Sequence, residues 1–125
     1  MKSPTLNIDL HCHSTVSDGA LAPRDVAQRA FANGVDVWAL TDHDEVGGIA
    51  EASAAAQELG MRFATGVEIS VTWAGLTVHI VGLQVDLDHP GLLAGLAQTR
   101  SGRLGRAAEM GARLAGQGIT QAYEG

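Results

Sequence analysis

Several residue types that support particular classes of protein are scarce in this sequence. Its 125 residues include one cysteine, 3 prolines and 4% aromatic residues. One cysteine excludes an internal disulfide framework, and so few aromatics give little support for a surface that stacks single-stranded bases. The sequence contains neither a long uncharged apolar run nor a charged segment leading into an apolar one. We therefore expect a cytoplasmic chain with no membrane partner.

Basic residues are also few. Lys and Arg total 8 against 14 Asp and Glu, which gives a formal net charge of −6. This balance argues against a surface that holds duplex DNA by neutralising its phosphates. A small anionic ligand would need local help from a metal ion or a stripe of arginines. The hydrophobic fraction of 46% is that of a globular domain, and the length matches one small domain.

The first half of the chain predicts alternating strands and helices. Residues alternate in polarity from Leu6 to His13, which predicts a strand with one apolar face. A helix is expected from Pro23 to Gly34, and the apolar run from Val35 to Leu40 predicts a strand buried on both faces. A second helix is expected from Gly47 to Gly60. This order indicates a parallel α/β architecture with right-handed crossovers.

The second half predicts a hairpin and a long helical stretch. A third strand is expected from Met61 to Val67, and it leads into residues 68–73. This segment and Leu76 to Val85 flank Ala74-Gly75, which suits a two-residue turn of a hairpin. A helical pattern begins near Pro90. Glycines recur within this pattern and weaken the expectation of one unbroken helix.

Histidines and carboxylates gather where the predicted strands end. His11 and His13 lie two residues apart on a strand, so both imidazoles project from one face with room for a cation between them. Parallel α/β folds place active sites at strand ends, which favours a metal site over scattered surface polarity. Hydrogen-bonded histidines without a metal are the alternative. The candidate ligands are His11, His13, Asp18, His43, Glu68 and His79.

The predicted hairpin allows a geometric check on two candidates. If Ala74-Gly75 is the whole turn, Ser70 lies opposite His79 and Glu68 lies opposite Val81. Glu68 and His79 then share a face as diagonal neighbours, with their backbones about 7 to 8 Å apart. A turn one residue longer would place them on opposite faces. An exposed glutamate and a hydrogen-bonded histidine are then the alternative.

Other polar residues lie beside the candidates. Strand alternation directs Cys12 away from the ligands and into the layer beneath the helices, so we expect an unreactive core thiol. Asp9 lies on the histidine face and either orients His11 or serves only packing and hydrogen bonding. Asp42 and Asp44 flank a candidate ligand. One is expected to orient it and the other to cap the next helix, and the sequence does not assign which.

Four segments together resemble the PHP family, the polymerase and histidinol phosphatase group of metal-dependent phosphoesterases. They are "DLHCHSTVSDG", "ALTDHDEVGG", "TGVEIS" and "VHIVGL", in the order and spacing of the family across roughly Asp9 to Leu83. The resemblance implies an α/β fold, a distorted (β/α)7 barrel with up to three divalent cations at one end. Residues 1–125 would form its N-terminal portion, without the later part of the barrel.

The resemblance also implies a role for each candidate ligand. His11, His13 and Glu68 would bind a first metal. Glu68 would bridge to a second metal that His79 also binds, and Asp18 and His43 would hold a third. In the family a further histidine and an Asp-x-His motif complete this set, and both lie beyond these residues. We therefore expect the 125 residues alone to be weak or inactive as a catalyst.

The ligand chemistry agrees with this assignment. Imidazoles and carboxylates without thiolates suit Mn, Fe or Zn. Three divalent cations would offset the formal charge of −6 and let an acidic protein bind phosphate. A hydroxide that bridges the metals is a competent nucleophile near neutral pH, so no Ser or Cys nucleophile is required.

The segment "RSGRLGRA" resembles an arginine-containing stretch of PHP proteins that act on nucleoside 3',5'-bisphosphates and short RNA 5' ends. It suggests that Arg100 and Arg103 contact a second phosphate, while a solvated helix face is the alternative.

We therefore expect a metal-dependent phosphoesterase whose partner is a small phosphorylated nucleotide or a short oligonucleotide. Histidinol-phosphate phosphatase, a non-catalytic PHP module of a polymerase and a purely structural half-barrel are the alternatives. Self-association of this segment is expected from its open sheet edge.

Overall fold

A computed structural model describes residues 5–119, which fold into four strands and three helices. The strands form a curled sheet in the order β1, β2, β3, β4, in which the first two pairings are parallel and the last is antiparallel. The α/β class predicted from the sequence is confirmed. None of the helices in these residues has the length and apolar character needed to span a bilayer. The elements are β1 (Ile8–Asp9), α1 (Pro23–Ala32), β2 (Val37–Leu40), α2 (Ile49–Leu59), β3 (Arg62–Trp73), β4 (Leu76–Leu83) and α3 (Pro90–Gly116).

Strand β1 is much shorter than the predicted Leu6 to His13. The Asp9 carboxylate accepts a hydrogen bond from the backbone N–H of His11 at 3.2 Å. Such a bond between an aspartate and the residue two positions later forms a turn, and the turn ends the pairing of β1 with β2. The chain returns to the sheet where Thr41 donates its backbone N–H to the carbonyl of Cys12 at 2.8 Å. The two histidines therefore lie on an irregular segment that is tied to the end of β2.

Helices α1 and α2 cover the parallel half of the sheet. Trp38 and Leu40 of β2 are fully buried beneath them, and Trp38 packs on Phe63 with ring centroids 5.4 Å apart. Burying a side chain such as Leu40 stabilises the fold by about 1.5–3 kcal/mol. Gly60 ends α2 in the left-handed conformation with φ 74°, as its position predicted. The polar loop that follows β2 therefore begins at a buried, well-packed strand.

The hairpin has the predicted register. Ala74 and Gly75 have positive φ angles of 51° and 78°, which suits a turn that follows the right-handed twist of the strands. Ser70 pairs with His79 and Glu68 pairs with Val81. β3 is one continuous strand that pairs with β2 through its first residues and with β4 through the remainder. One strand thus carries the parallel sheet into the hairpin.

Helix α3 is unbroken over 27 residues, so the glycines that weakened the expectation of one helix do not interrupt it. A glycine inside a helix costs about 1 kcal/mol relative to alanine, an amount that other contacts can offset. His89 caps the helix by accepting the backbone N–H of Leu92 at 3.2 Å, and Leu96 is buried. Two arginines farther along the helix bind the loop after β2.

Candidate metal centre

All six candidate ligands meet at one end of the sheet. Their ligand atoms form three overlapping groups, within each of which the atoms lie no more than 4.8 Å apart. Glu68 belongs to two of the groups, and so do His13 and His43. The groups are His11 with His13 and Glu68, His13 with Asp18 and His43, and His43 with Glu68 and His79.

Glu68 is the common member at the centre of this cluster. Its residue is only 7% exposed, because it lies on β3 between the loop after β2 and strand β4. Its Oε2 atom lies 3.1 Å from Nε2 of His11 and 3.1 Å from Nε2 of His13. The same oxygen is 3.5 Å from Nε2 of His43, while Oε1 is 3.9 Å from Nδ1 of His79. Both oxygens of this carboxylate are therefore directed at imidazole nitrogens.

The spacing of the first group fits a divalent metal. The Nε2 atoms of His11 and His13 are 3.2 Å apart, and each is 3.1 Å from the Glu68 oxygen. Tetrahedral bonds of about 2.1 Å place neighbouring ligand atoms about 3.4 Å apart, close to this triangle. Neutral imidazoles and a carboxylate form the donor set that Mn, Fe and Zn accept. These residues could hold such an ion with small adjustments.

His13 and His43 lie side by side in the second group. Their rings stack with centroids 4.5 Å apart and an interplanar angle of 1°. Asp18 supplies an exposed carboxylate 3.4 Å from Nε2 of His43 and 3.9 Å from Nδ1 of His13. That Nδ1 atom is buried and has no hydrogen-bond partner within residues 5–119. A buried polar atom without a partner beside a carboxylate is a further indication of a cation site.

Gly19 shapes the loop that carries Asp18. Its backbone N–H donates to the carbonyl of Ser14 at 2.8 Å. A Cβ atom at this position would lie 2.4 Å from the carbonyl oxygen of His13. The loop can therefore close against His13 only because residue 19 has no side chain.

A backbone bridge brings His43 to Glu68. The N–H of Glu68 donates to the carbonyl of Asp42 at 3.0 Å, and the N–H of Asp44 donates to the carbonyl of Glu68 at 2.9 Å. His43 lies between these two bonds and is held beside Glu68. The family resemblance implied a partnership of His43 with Asp18, and no sequence pattern indicated that His43 also approaches Glu68.

Neither aspartate beside His43 caps the next helix. Asp42 is buried and accepts hydrogen bonds from the backbone N–H and the hydroxyl of Ser14, at 2.6 and 2.7 Å, and from Ser17. Asp44 accepts the backbone N–H of Ser70 at 2.8 Å. The residue preceding α2 is Gly48, and no side chain caps that helix. The expectation of a helix cap is therefore wrong, because tertiary partners satisfy both carboxylates.

Cys12 is directed away from the ligands, as strand alternation predicted. It packs against the core beneath the helices, and its thiol donates to Asp9 at 3.3 Å. Burial raises the pKa of the Cys12 thiol to about 11, with a smaller opposing effect from Trp38 and a smaller reinforcing effect from Asp9. Asp9 touches His11 only through the backbone N–H, so it fixes the chain direction and not the ring.

The two arginines predicted to contact substrate lie beside the cluster. Arg100 donates to the carbonyl of Asp44 at 2.7 Å and lies 3.5 Å from the carboxylate of Glu45. Arg103 pairs with the Asp44 carboxylate. These contacts with the loop after β2 were not indicated by any sequence pattern. Substrate contact by the arginines stays a prediction.

Comparison with known proteins agrees with this arrangement. The PHP domain profile matches residues 9–105, which include every candidate ligand. The chain belongs to the PHP domain family. The 3',5'-nucleoside bisphosphate phosphatase of Chromobacterium violaceum is 55% identical over 119 residues, which cover 95% of this chain and 42% of that protein. The 5'-3' exoribonuclease of Haemophilus influenzae is 50% identical over 121 residues, covering 97% of this chain and 44% of that protein.

A solved structure extends the similarity to the fold. A Bifidobacterium adolescentis protein assigned as a metal-dependent phosphoesterase superimposes with a TM-score of 0.83 at 33% identity, covering 91% of this PHP chain and 40% of the other. The chain thus spans about two fifths of the length of the relatives that it matches.

Proposed function

We propose that this PHP protein is a metal-dependent phosphoesterase. The observation that carries the proposal is the position of Glu68, whose buried carboxylate has three imidazole nitrogens within 3.5 Å of one oxygen. A carboxylate surrounded by imidazoles at the carboxyl ends of parallel strands is the arrangement of a metal-dependent active site. The names of two relatives described above, a phosphatase and an exoribonuclease, suggest the reaction class.

The proposed metal assignment follows the three groups. His11, His13 and Glu68 would hold a first ion, and Glu68 and His79 would hold a second. Asp18 and His43 would hold a third. The imidazole and carboxylate donors favour Mn, Fe or Zn. When bound, these ions supply activated water and neutralise charge on the phosphoryl oxygens.

The chain itself fixes where a phosphate ester can react. Glu68 and the imidazoles would hold the metal ions, and with them the positive charge, at a largely buried position, while the exposed carboxylate of Asp18 lies beside His43. The formal charge of −6 leaves the rest of the protein unattractive to a phosphate, so the anion is drawn to the metal centre. No serine or cysteine nucleophile is needed, which agrees with the position of Cys12 in the core.

Within this reaction class, we infer that the substrate is a nucleoside 3',5'-bisphosphate or the 5' end of a short RNA. The support is the names of the two relatives described above, a 3',5'-nucleoside bisphosphate phosphatase and a 5'-3' exoribonuclease. Contact of Arg100 and Arg103 with a second phosphate is the prediction made from the sequence. The proposal includes a complete (β/α)7 barrel in the full-length protein and a cytoplasmic location, which suits a single free thiol.

The test is phosphate release from adenosine 3',5'-bisphosphate by the full-length protein with added Mn²⁺. A short 5'-phosphorylated RNA and histidinol phosphate are run in parallel. We expect turnover of the nucleotide or the RNA, and a loss of roughly 100-fold or more in Glu68→Gln, because the substitution removes the charge shared by two ions. Arg113→Ala is the matched control, since within residues 5–119 the only ion pair of Arg113 is with Glu109 on its own helix.

Three results would count against the proposal. Hydrolysis of histidinol phosphate alone would overturn the substrate class. Equal activity of Glu68→Gln and Arg113→Ala would overturn the role of Glu68. Absence of turnover on every phosphate ester would favour a non-catalytic module.

A further inference from the structure

Asp44 is held at every polar group it possesses. Its backbone N–H donates to Glu68 at 2.9 Å, and its carbonyl accepts from Arg100 at 2.7 Å. One carboxylate oxygen accepts the backbone N–H of Ser70 at 2.8 Å, and the other pairs with Arg103. Asp44 is completely buried and has a positive φ of 52°, a conformation that side chains other than glycine, asparagine and aspartate seldom adopt. Because four groups of Asp44 are hydrogen bonded, the backbone on either side of it is also held in place.

Two of the candidate ligands depend on the position of Asp44. His43 precedes it directly in the chain, so the orientation of the Asp44 peptide sets the direction of the His43 side chain. Ser70 links it to His79, because the Ser70 hydroxyl lies 3.4 Å from Nδ1 of His79. His43 and His79 belong to the same group around Glu68. Asp44 is thus the common support of the ligands on that side of the cluster.

We propose that Arg103 and Arg100 are positioning residues that hold Asp44, and through it His43 and His79, in the geometry that binds metal. The inference rests on the metal centre proposed above. A fully buried carboxylate needs a cationic partner, and Arg103 of α3 provides it. The planar guanidinium offers several donors in fixed directions, which lets Arg100 bind the Asp44 carbonyl and approach Glu45 at once. Helix α3 is therefore part of the metal site although it contributes no ligand.

Substrate binding and positioning predict different measurements for the same arginines. An arginine that only contacts a phosphate changes KM and leaves metal binding by the substrate-free protein unchanged. An arginine that positions His43 weakens metal binding before any substrate is present. Removal of the groups that orient metal ligands typically costs about 10- to 100-fold in metal affinity.

The experiment is calorimetric titration of the metal-free, full-length protein with Mn²⁺ in the absence of substrate. Wild type, Arg103→Gln, Asp44→Asn and the double variant are compared, with Arg113→Gln as the matched control. We expect the ions that involve His43 to bind about 10- to 100-fold more weakly in both single variants. The ion held by His11 and His13 should be affected less. Arg113→Gln should bind metal as wild type does.

The double variant separates positioning from general damage. Arg103→Gln leaves a buried carboxylate without its cation, and this variant alone could unfold. The double variant removes both charges, so its fold can be checked by circular dichroism and its metal affinity measured. If Arg103 acts through Asp44, the loss in the double variant is no larger than in Asp44→Asn alone.

Unchanged Mn²⁺ affinity in Arg103→Gln together with a raised KM would overturn the inference and assign the arginine to substrate. Additive losses in the double variant would also overturn it. Failure of the wild-type protein to bind any Mn²⁺, Fe²⁺ or Zn²⁺ is a different result, since it would remove the proposed metal centre itself.

Discussion

His43 and Glu68 are joined twice, by a backbone bridge between their segments and by a 3.5 Å approach of Nε2 to Oε2. The bridge makes the loop after β2 an extension of the sheet, so a polar loop is held almost as rigidly as a strand. The side-chain approach places His43 within reach of the carboxylate that His11 and His13 also face. Rigid backbone and converging side chains together give a preorganised site, which metal binding requires.

Gly19→Ala should disrupt the site although residue 19 offers no ligand. The added Cβ would lie 2.4 Å from the carbonyl oxygen of His13, and backbone cannot yield as a flexible side chain does. We expect a destabilisation of about 1–3 kcal/mol from this overpacking and weaker Mn²⁺ binding, measured by thermal unfolding and calorimetry.

Gly95→Ala is the control for that substitution. Gly95 lies in α3 with open space around it, so alanine there should stabilise the helix by up to about 1 kcal/mol. Normal metal affinity in Gly19→Ala would show that the loop adapts and that its tight closure does not set the ligand geometry.

Cys12 should be kinetically silent. Its thiol packs against the core and donates to Asp9, and its pKa of about 11 leaves little thiolate at pH 7.5. We expect alkylation by iodoacetamide to be slow in the native protein and fast after unfolding in urea. Cys12→Ala should retain nearly full turnover, and a complete loss of activity in a folded variant would place the thiol in the reaction.

The 125-residue chain expressed alone should self-associate. Within residues 5–119, β1 and β4 each pair along one edge only, and large apolar side chains are exposed on both, including Ile8 at 54% and Ile80 at 50%. Unpaired edges with apolar side chains favour pairing with another chain. Light scattering after size exclusion should show dimers or larger species. The Ile8→Lys/Ile80→Lys variant should shift toward monomer, while a wild-type monomer at high concentration would contradict this prediction.

Local rules predicted the elements and the register of the hairpin. The turn at Ala74-Gly75 fixes which residues of β3 and β4 share a face, so Glu68 and His79 could be placed on the same face from their positions alone. The alternation of polar and apolar residues also predicted that Cys12 packs against the core. The length of the edge strand β1 was overestimated, because the Asp9 carboxylate accepts the backbone N–H of His11 and the strand ends there.

Tertiary contacts explain what the sequence could not supply. Asp42 and Asp44 look alike beside His43, yet one binds Ser14 and Ser17 while the other binds Ser70 and two arginines of α3. No spacing rule connects segments so far apart in the chain. The glycines of α3 weakened the expectation of one helix on the basis of helix propensity, yet the helix is continuous over Pro90–Gly116.

Anomalous X-ray diffraction from crystals of the full-length protein grown with Mn²⁺ locates each ion relative to Glu68, so it tests whether two ions share this carboxylate. We expect one anomalous peak within bonding distance of His11, His13 and Glu68, and a second peak on the other side of the same carboxylate near His79. In Glu68→Gln both peaks should weaken or disappear. Strong Mn²⁺ peaks that avoid Glu68, or an unchanged pair of peaks in Glu68→Gln, would show that Glu68 is not the shared ligand.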